Sequence, residues 1–217
     1  MPRAAQAMIL KQLELGPLAN FVYIVGDPAT RECAVVDPAW DVPAILKAVE
    51  GEGLTLTSVL VTHNHPDHIN GVGEILKTAD VPVFVHKEDA FALKPYQSSL
   101  RLVSGGDRTA VGKLDVAFLH TPGHTHGSQC FLFQDRLVSG DTLFIKGCGR
   151  VDLPNSDPEK MYRSLRKIAG LPDETVVFPG HNYAEKPCAP LGEEKAGNPY
   201  LVLAQQGLED FLRVVGL

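Results

Sequence analysis

The chain has 217 residues, 44% of them hydrophobic and 21% charged. That is enough for one compact domain with a buried core, and too ordinary a composition for a long disordered region. A formal net charge of -6 with a pI near 5.7, and no block of Lys or Arg, argue against a polyanionic partner such as nucleic acid. No stretch approaches the roughly 20 apolar residues of a membrane span, and the apolar run near the N-terminus is too short for a signal-peptide core, so a cytoplasmic protein without membrane contact is expected.

In chain order, short β-branched and apolar runs bounded by turn residues predict strands at 8–13, 21–25, 33–37, 58–62 and 81–85. Between them, 42–50 and 72–78 carry apolar residues at helical spacing, the first with Asp41 as N-cap. The second half predicts strands at 114–119, 129–133, 136–139 and 175–178. A helix at 157–169 has Asp157 as N-cap, Pro158 at its first position and Gly170 past its end. Its Lys160, Arg163, Arg166 and Lys167 read as a solvated face. After His181 the chain is rich in Pro and Gly as far as Asn198-Pro199, then amphipathic from Tyr200 to Val215, which predicts a closing helix within about 198–215. Irregular alternation, with several strands close enough for hairpins, excludes a purely parallel sheet. The expectation is an α+β fold of two mixed sheets packed face to face with helices outside, spanning 1–217 as a single domain.

Cys33, Cys130, Cys148 and Cys188 are scattered without a Cys-x-x-Cys pair and are expected as reduced thiols. The chemistry concentrates in Thr62-His63-Asn64-His65-Pro66-Asp67-His68, directly after a predicted strand. Residues two apart in an extended segment face the same way, so His63 and His65 can address one ion, while Asp67 and His68, beyond Pro66, can address another. A tetrahedral site with an open position needs about three protein ligands, so the surplus points to a second metal. His124, Asp141 and His181 each stand just past a predicted strand and each follows a glycine, which permits the close backbone approach of a crowded site.

The segment from His63 to His68 is the His-x-His-x-Asp-His motif, and with His124, Asp141 and His181 following in order the chain resembles the metallo-β-lactamase superfamily. The resemblance runs from about Leu10 to Tyr200 and implies the αββα sandwich of that family. It further implies that His63, His65 and His124 hold one metal, that Asp67, His68 and His181 hold the other, and that Asp141 bridges them. Gly140-Asp141-Thr142-Leu143-Phe144, Gly147-Cys148-Gly149-Arg150 and Gly180-His181-Asn182-Tyr183 resemble the glyoxalase II and persulfide dioxygenase branch.

A glyoxalase II-like member would hydrolyse a small-molecule thioester, such as a glutathione-derived one, with a hydroxide bridging two divalent ions, zinc or iron. In it Asp67 would serve catalysis, and Arg150 and Tyr183 would touch the substrate. A persulfide dioxygenase would instead oxidise glutathione persulfide at one iron, using the position of His65 or His63 with those of His124 and Asp141. Two departures from glyoxalase II bear on the choice. Asp152 stands where a tyrosine touches glutathione, and the chain runs only to Leu217, where that family has a longer helical C-terminal domain. Arg150-Val151-Asp152 is similar to the Arg-Thr-Asp of persulfide dioxygenases and of short glyoxalase II-like hydrolases. His126 reads as a rim residue rather than a ligand, Cys148 as a loop residue, and Asp37 either as a support for a ligand or as a turn residue.

Overall fold

The computed structural model describes residues 7–215. One six-stranded sheet contains, in spatial order, β1 (Ile9–Leu15), β2 (Asn20–Asp27), β3 (Glu32–Val36), β4 (Thr55–Leu60), β5 (Val83–His86) and β6 (Leu100–Val103). β1 to β3 pair antiparallel, whereas β3 to β6 pair parallel. The second sheet begins with the antiparallel run β7 (Arg108–Val111), β8 (Leu114–His120), β9 (Gln129–Phe133) and β10 (Arg136–Gly140). β13 (Val176–Pro179) then lies parallel to β10, and β14 (Ala189–Pro190) closes that edge. A small hairpin, β11 (Leu143–Phe144) with β12 (Gly147–Cys148), stands apart. Both sheets are mixed, as the spacing of strands in the sequence predicts.

The period-two alternation of β2 shows how the layers form. Phe21, Tyr23 and Val25 point between the sheets, where they meet Phe118, Phe131 and Phe133 of the second sheet. Val22 and Ile24 point outward and pack under Ile45 and Val49 of α1 (Val42–Gly51). The outer face of the first sheet also carries α2 (Pro66–Ile69), α3 (Val72–Thr78) and a 3-10 helix at Ala90–Tyr96. On the far side, α4 (Pro158–Ala169) buries Met161, Leu165 and Ile168 against Leu137 and Val177. Each such side chain contributes about 1.5–3 kcal/mol of burial. The expected caps are in place. Asp41 accepts from Ala44 N at 3.0 Å, and Asp157 accepts from Lys160 N at 2.9 Å. The cations of α4 are partnered: Arg163 with Glu159, Lys160 with Asp157, Lys167 with the carbonyl of His120, and Arg166 with the ring of Tyr162.

The structure corrects the C-terminal expectation. The amphipathic stretch is two helices, α6 (Pro199–Gln206) and α7 (Leu208–Val215), divided at Gly207. A further helix, α5 (Leu191–Gly197), lies within the Pro- and Gly-rich stretch, for which no element is expected. It is held by tertiary contacts: the buried Glu194 accepts from Lys146 N at 2.7 Å and from Asn198 Nδ2 at 2.9 Å. The strand expected at 58–62 ends at Leu60, which leaves Thr62 and His63 in the loop beyond it. Among the described residues, no helix is long and apolar enough to cross a membrane.

Candidate metal centre

The expected site residues gather where several strands end. His63 and His65 follow β4, Asp67 and His68 lie on α2, His124 is in the β8–β9 loop, Asp141 follows β10, and His181 follows β13. The two sheets are laced together here, since Phe21 N donates to Gly180 O at 2.8 Å and Asn20 bridges to His181. Two glycines permit the crowding. Gly140 takes a left-handed φ of 49°. A Cβ on Gly180 would lie 2.2 Å from Asp141 Oδ1, so a larger residue would displace the carboxylate.

Two groups of ligand atoms result. His63 Nε2 is 3.1 Å from His65 Nδ1, which is 2.9 Å from His124 Nε2. His68 Nε2 and His181 Nε2 are 3.1 Å apart, and Asp67 Oδ2 is 3.5 Å from the first and 3.6 Å from the second. Asp141 lies between the groups. Its Oδ2 is 3.5 Å from His124 Nε2 and 3.3 Å from His181 Nε2, and its Oδ1 is 3.4 Å from His68 Nε2.

Outer contacts fix which imidazole nitrogen carries a proton. His124 Nδ1 faces the carbonyl of Arg150 at 2.8 Å, His181 Nδ1 that of Leu18 at 2.9 Å, and His68 Nδ1 the carboxylate of Asp37 at 2.9 Å. Those oxygens only accept, so each Nδ1 donates and each Nε2 can present a lone pair inward. Thr62 donates its hydroxyl hydrogen to Asp37, so the same hydroxyl can accept from His63 Nδ1 at 3.0 Å. Asp37 therefore supports His68 and, through Thr62, His63; it also accepts from Thr62 N at 2.7 Å.

The donor set fits a cation. Lone pairs aimed at one another across about 3 Å repel unless positive charge lies between them. Asp141 Oδ1 is buried without a hydrogen-bond partner, a costly state that a cation would relieve. Burial, reinforced by the neighbouring His68, pushes His63 well below the ordinary imidazole range. Burial and His124 bring His65 down to about 4. Both rings are thus neutral, as metal ligands must be. At Asp141 burial favours the neutral acid, but His68 and His181 outweigh it and hold the carboxyl far below its usual range. At His68 burial is likewise outweighed, by Asp141 and Asp37, and the imidazole rises to about 9. Without a metal, a proton at His68 supplies the positive charge the cluster requires.

The profile of the metallo-beta-lactamase superfamily matches residues 15–181. This chain belongs to that superfamily. The chain is 40% identical over 168 residues to hydroxyacylglutathione hydrolase of Rhodospirillum rubrum, covering 76% of this chain and 63% of that enzyme's length. It is 31% identical over 170 residues to the probable polyketide biosynthesis zinc-dependent hydrolase BaeB of Bacillus velezensis, covering 78% and 76% of the two chains. Its fold superposes on the crystal structure of ETHE1 from Myxococcus xanthus with a TM-score of 0.87 and 35% identity, covering 95% of this chain and 89% of the other. The His/Asp cluster, the superfamily and the zinc-dependent relative together support use of a divalent metal.

The remaining expectations fall around this centre. Tyr183 stacks on the ring of His181 with centroids 4.7 Å apart and planes 9° from parallel. Arg150 meets the site through its carbonyl, while its guanidinium forks onto Asp152 at 2.8 and 2.9 Å. His126 is exposed and lies outside both ligand groups. Burial pushes the Cys148 thiol up to about 12, which disfavours the thiolate that a nucleophile needs. The sequence gives no warning of Asn20, whose Nδ2 donates to Asp67 Oδ2 at 2.9 Å. Nor does it warn of Asp89, which accepts from Asn64 N and Gly127 N and ties the two histidine loops together. A buried Asn beginning a strand and a buried Asp in the turn before a 3-10 helix carry no local pattern.

Proposed function

We propose that the protein is a glyoxalase II-like thioester hydrolase with two divalent ions. His63, His65 and His124 hold one, Asp67, His68 and His181 hold the other, and Asp141 joins them. The observation that carries this reading is the Asp141 carboxylate, which faces both groups from between them and leaves a buried oxygen unpartnered. The nitrogen-rich donor set suits zinc, with iron as the alternative. Two such ions supply a water whose pKa is lowered toward roughly 7 and a Lewis acid for the thioester carbonyl.

The chain's own residues provide the rest. Asp67, oriented by Asn20, accepts the proton of the attacking water as the C–O bond forms. Breaking the C–S bond releases a thiolate of pKa about 8.5, which takes up a proton without a dedicated acid. This is why the site needs no general acid beside its ligands. Tyr183 and Arg150 contact the substrate, a small thioester such as a hydroxyacylglutathione. The Arg150–Asp152 pair is exposed, where water screens the attraction, so Arg150 turns readily to an anionic substrate group.

A second reading, persulfide oxidation at a single iron, is favoured by the Arg150-Val151-Asp152 segment and by the similarity to ETHE1 across nearly the whole chain. An oxygen electrode combined with a thiol-release assay separates the two. Hydrolysis predicts thiol release from lactoylglutathione with no oxygen uptake on any substrate. Oxygen uptake on glutathione persulfide without thioester cleavage would overturn the proposal.

A further inference from the structure

Three of the large apolar side chains that remain exposed among the described residues gather at one end of the metal centre: Leu18 at 48% exposure, Trp40 at 39% and Tyr183 at 60%. Each is tied to the Asp67, His68 and His181 group. Leu18 offers its carbonyl to His181, Tyr183 stacks on the His181 ring, and Trp40 donates its indole N–H to Asn20, which holds Asp67. The three are also joined to one another. A Cβ on Gly16 would lie 2.4 Å from the Trp40 ring, so the indole covers the turn between β1 and β2 that carries Leu18. Asn182 N, next to Tyr183, donates to Ala19 O in the same turn at 2.8 Å. The end of the site beside His124 differs in character, because Arg150 and Asp152 flank it with charge.

From this asymmetry we infer that Leu18, Trp40 and Tyr183 receive the acyl group of the thioester, and that the protein prefers hydrophobic acyl groups to small hydroxylated ones. The inference rests on the thioester-hydrolase reading. A thioester carbonyl held at the metals sends its acyl and thiol portions in opposite directions. A charged thiol carrier matches the Arg150 end. An aliphatic or aromatic acyl group matches the other, where it would cover the exposed apolar surface of Leu18, Trp40 and Tyr183.

The test uses zinc-loaded protein and glutathione thioesters of acetate, butyrate, hexanoate and lactate. The expected kcat/KM rises about 2- to 4-fold per methylene from acetyl to hexanoyl, with lactoyl below butyryl. In Leu18→Ser the hexanoyl-to-acetyl ratio should fall at least several-fold, whereas Val214→Ser, another exposed apolar side chain on α7, should retain it. Trp40 is the only tryptophan, so its fluorescence reports occupancy directly. The uncleavable thioether S-hexylglutathione should shift it saturably, and S-methylglutathione should do so only at much higher concentration. Equal kcat/KM across the acyl series would overturn the inference and leave the hydrolase reading intact. An undiminished ratio in Leu18→Ser, or Trp40 fluorescence indifferent to S-hexylglutathione, would also overturn it. Failure to cleave any thioester would overturn the hydrolase reading, and the acyl assignment with it.

Discussion

Trp40 donates its indole Nε1–H to Asn20 Oδ1 at 2.8 Å. An indole can only donate, so this bond fixes the orientation of the Asn20 amide and turns its NH2 toward Asp67. That group donates to Asp67 Oδ2 at 2.9 Å and to the Asp67 carbonyl at 3.1 Å. A residue near the surface thereby sets the position of a carboxylate among the proposed ligands. Loss of such outer support costs about 10- to 100-fold in metal affinity. Asn20→Ala should weaken the more weakly bound zinc by that order. Trp40→Phe, which keeps the ring and loses the N–H, should do so by a smaller factor. Competition against a chromophoric chelator measures both, and unchanged affinity in Asn20→Ala would refute the relay.

Asp89 is buried and accepts from Thr125 Oγ1 at 2.7 Å, Gly127 N at 2.8 Å and Asn64 N at 3.0 Å. Asn64 lies between His63 and His65, and Thr125 follows His124. Burial raises the Asp89 carboxyl pKa, and the bonds from Thr125 and Gly127 offset part of that shift. Asp89→Ala would remove the shared acceptor of three donors and strand the buried Gly127 N, at an expected cost of about 1–3 kcal/mol. Asp89→Asn retains part of the acceptor geometry and should cost less. Urea unfolding of the zinc-loaded proteins gives both values, and a loss below about 0.5 kcal/mol in Asp89→Ala would contradict the clamp.

His86 and His120 stack with centroids 4.0 Å apart and planes 12° from parallel, and neither belongs to the metal centre. Burial, then the charge of His120, lowers His86 to about 4, with Lys87 acting the same way and Glu88 and Asp107 opposing. The unfolded chain takes up a proton at His86 near pH 6.5, whereas the folded chain does so only near pH 4. The stability this group contributes is therefore fully present above about pH 6.5 and is lost as the pH falls toward 4. Wild type should lose more stability than His86→Phe between pH 7.5 and 5, measured as the difference in urea midpoints. Equal losses would show that the fold does not hold His86 below the ordinary imidazole range.

The sequence made the metal centre legible to the degree that its residues are local or stand at strand ends. His63, His65, Asp67 and His68 occupy one turn, and His124, Asp141 and His181 each follow a glycine after a predicted strand; the structure brings all of them into one cluster. Asn20, Asp89 and Trp40 were not legible, because their roles arise only where β2 meets the β3–α1 loop and α2, and where the turn before the 3-10 helix meets the loops after β4 and β8. Asp37 was legible as a choice, and its bond to His68 decides in favour of support. The two-sheet architecture followed from strand spacing. The short edge strands β6, β7 and β14 did not, since two to four residues carry too little periodicity. Helix α5 was hidden by Gly192 and Gly197, residues of poor helical propensity that tertiary contacts of Glu194 override.

The central claim is that Asp141 joins two metal ions in one site, and stoichiometric zinc titration of metal-free protein tests it most directly. Wild type should saturate at two ions per chain. Asp141→Ala should lose at least one of them, together with thioester cleavage, while retaining a cooperative unfolding transition. Saturation of the wild-type protein at one ion per chain, or two tightly held ions in Asp141→Ala, would contradict the account.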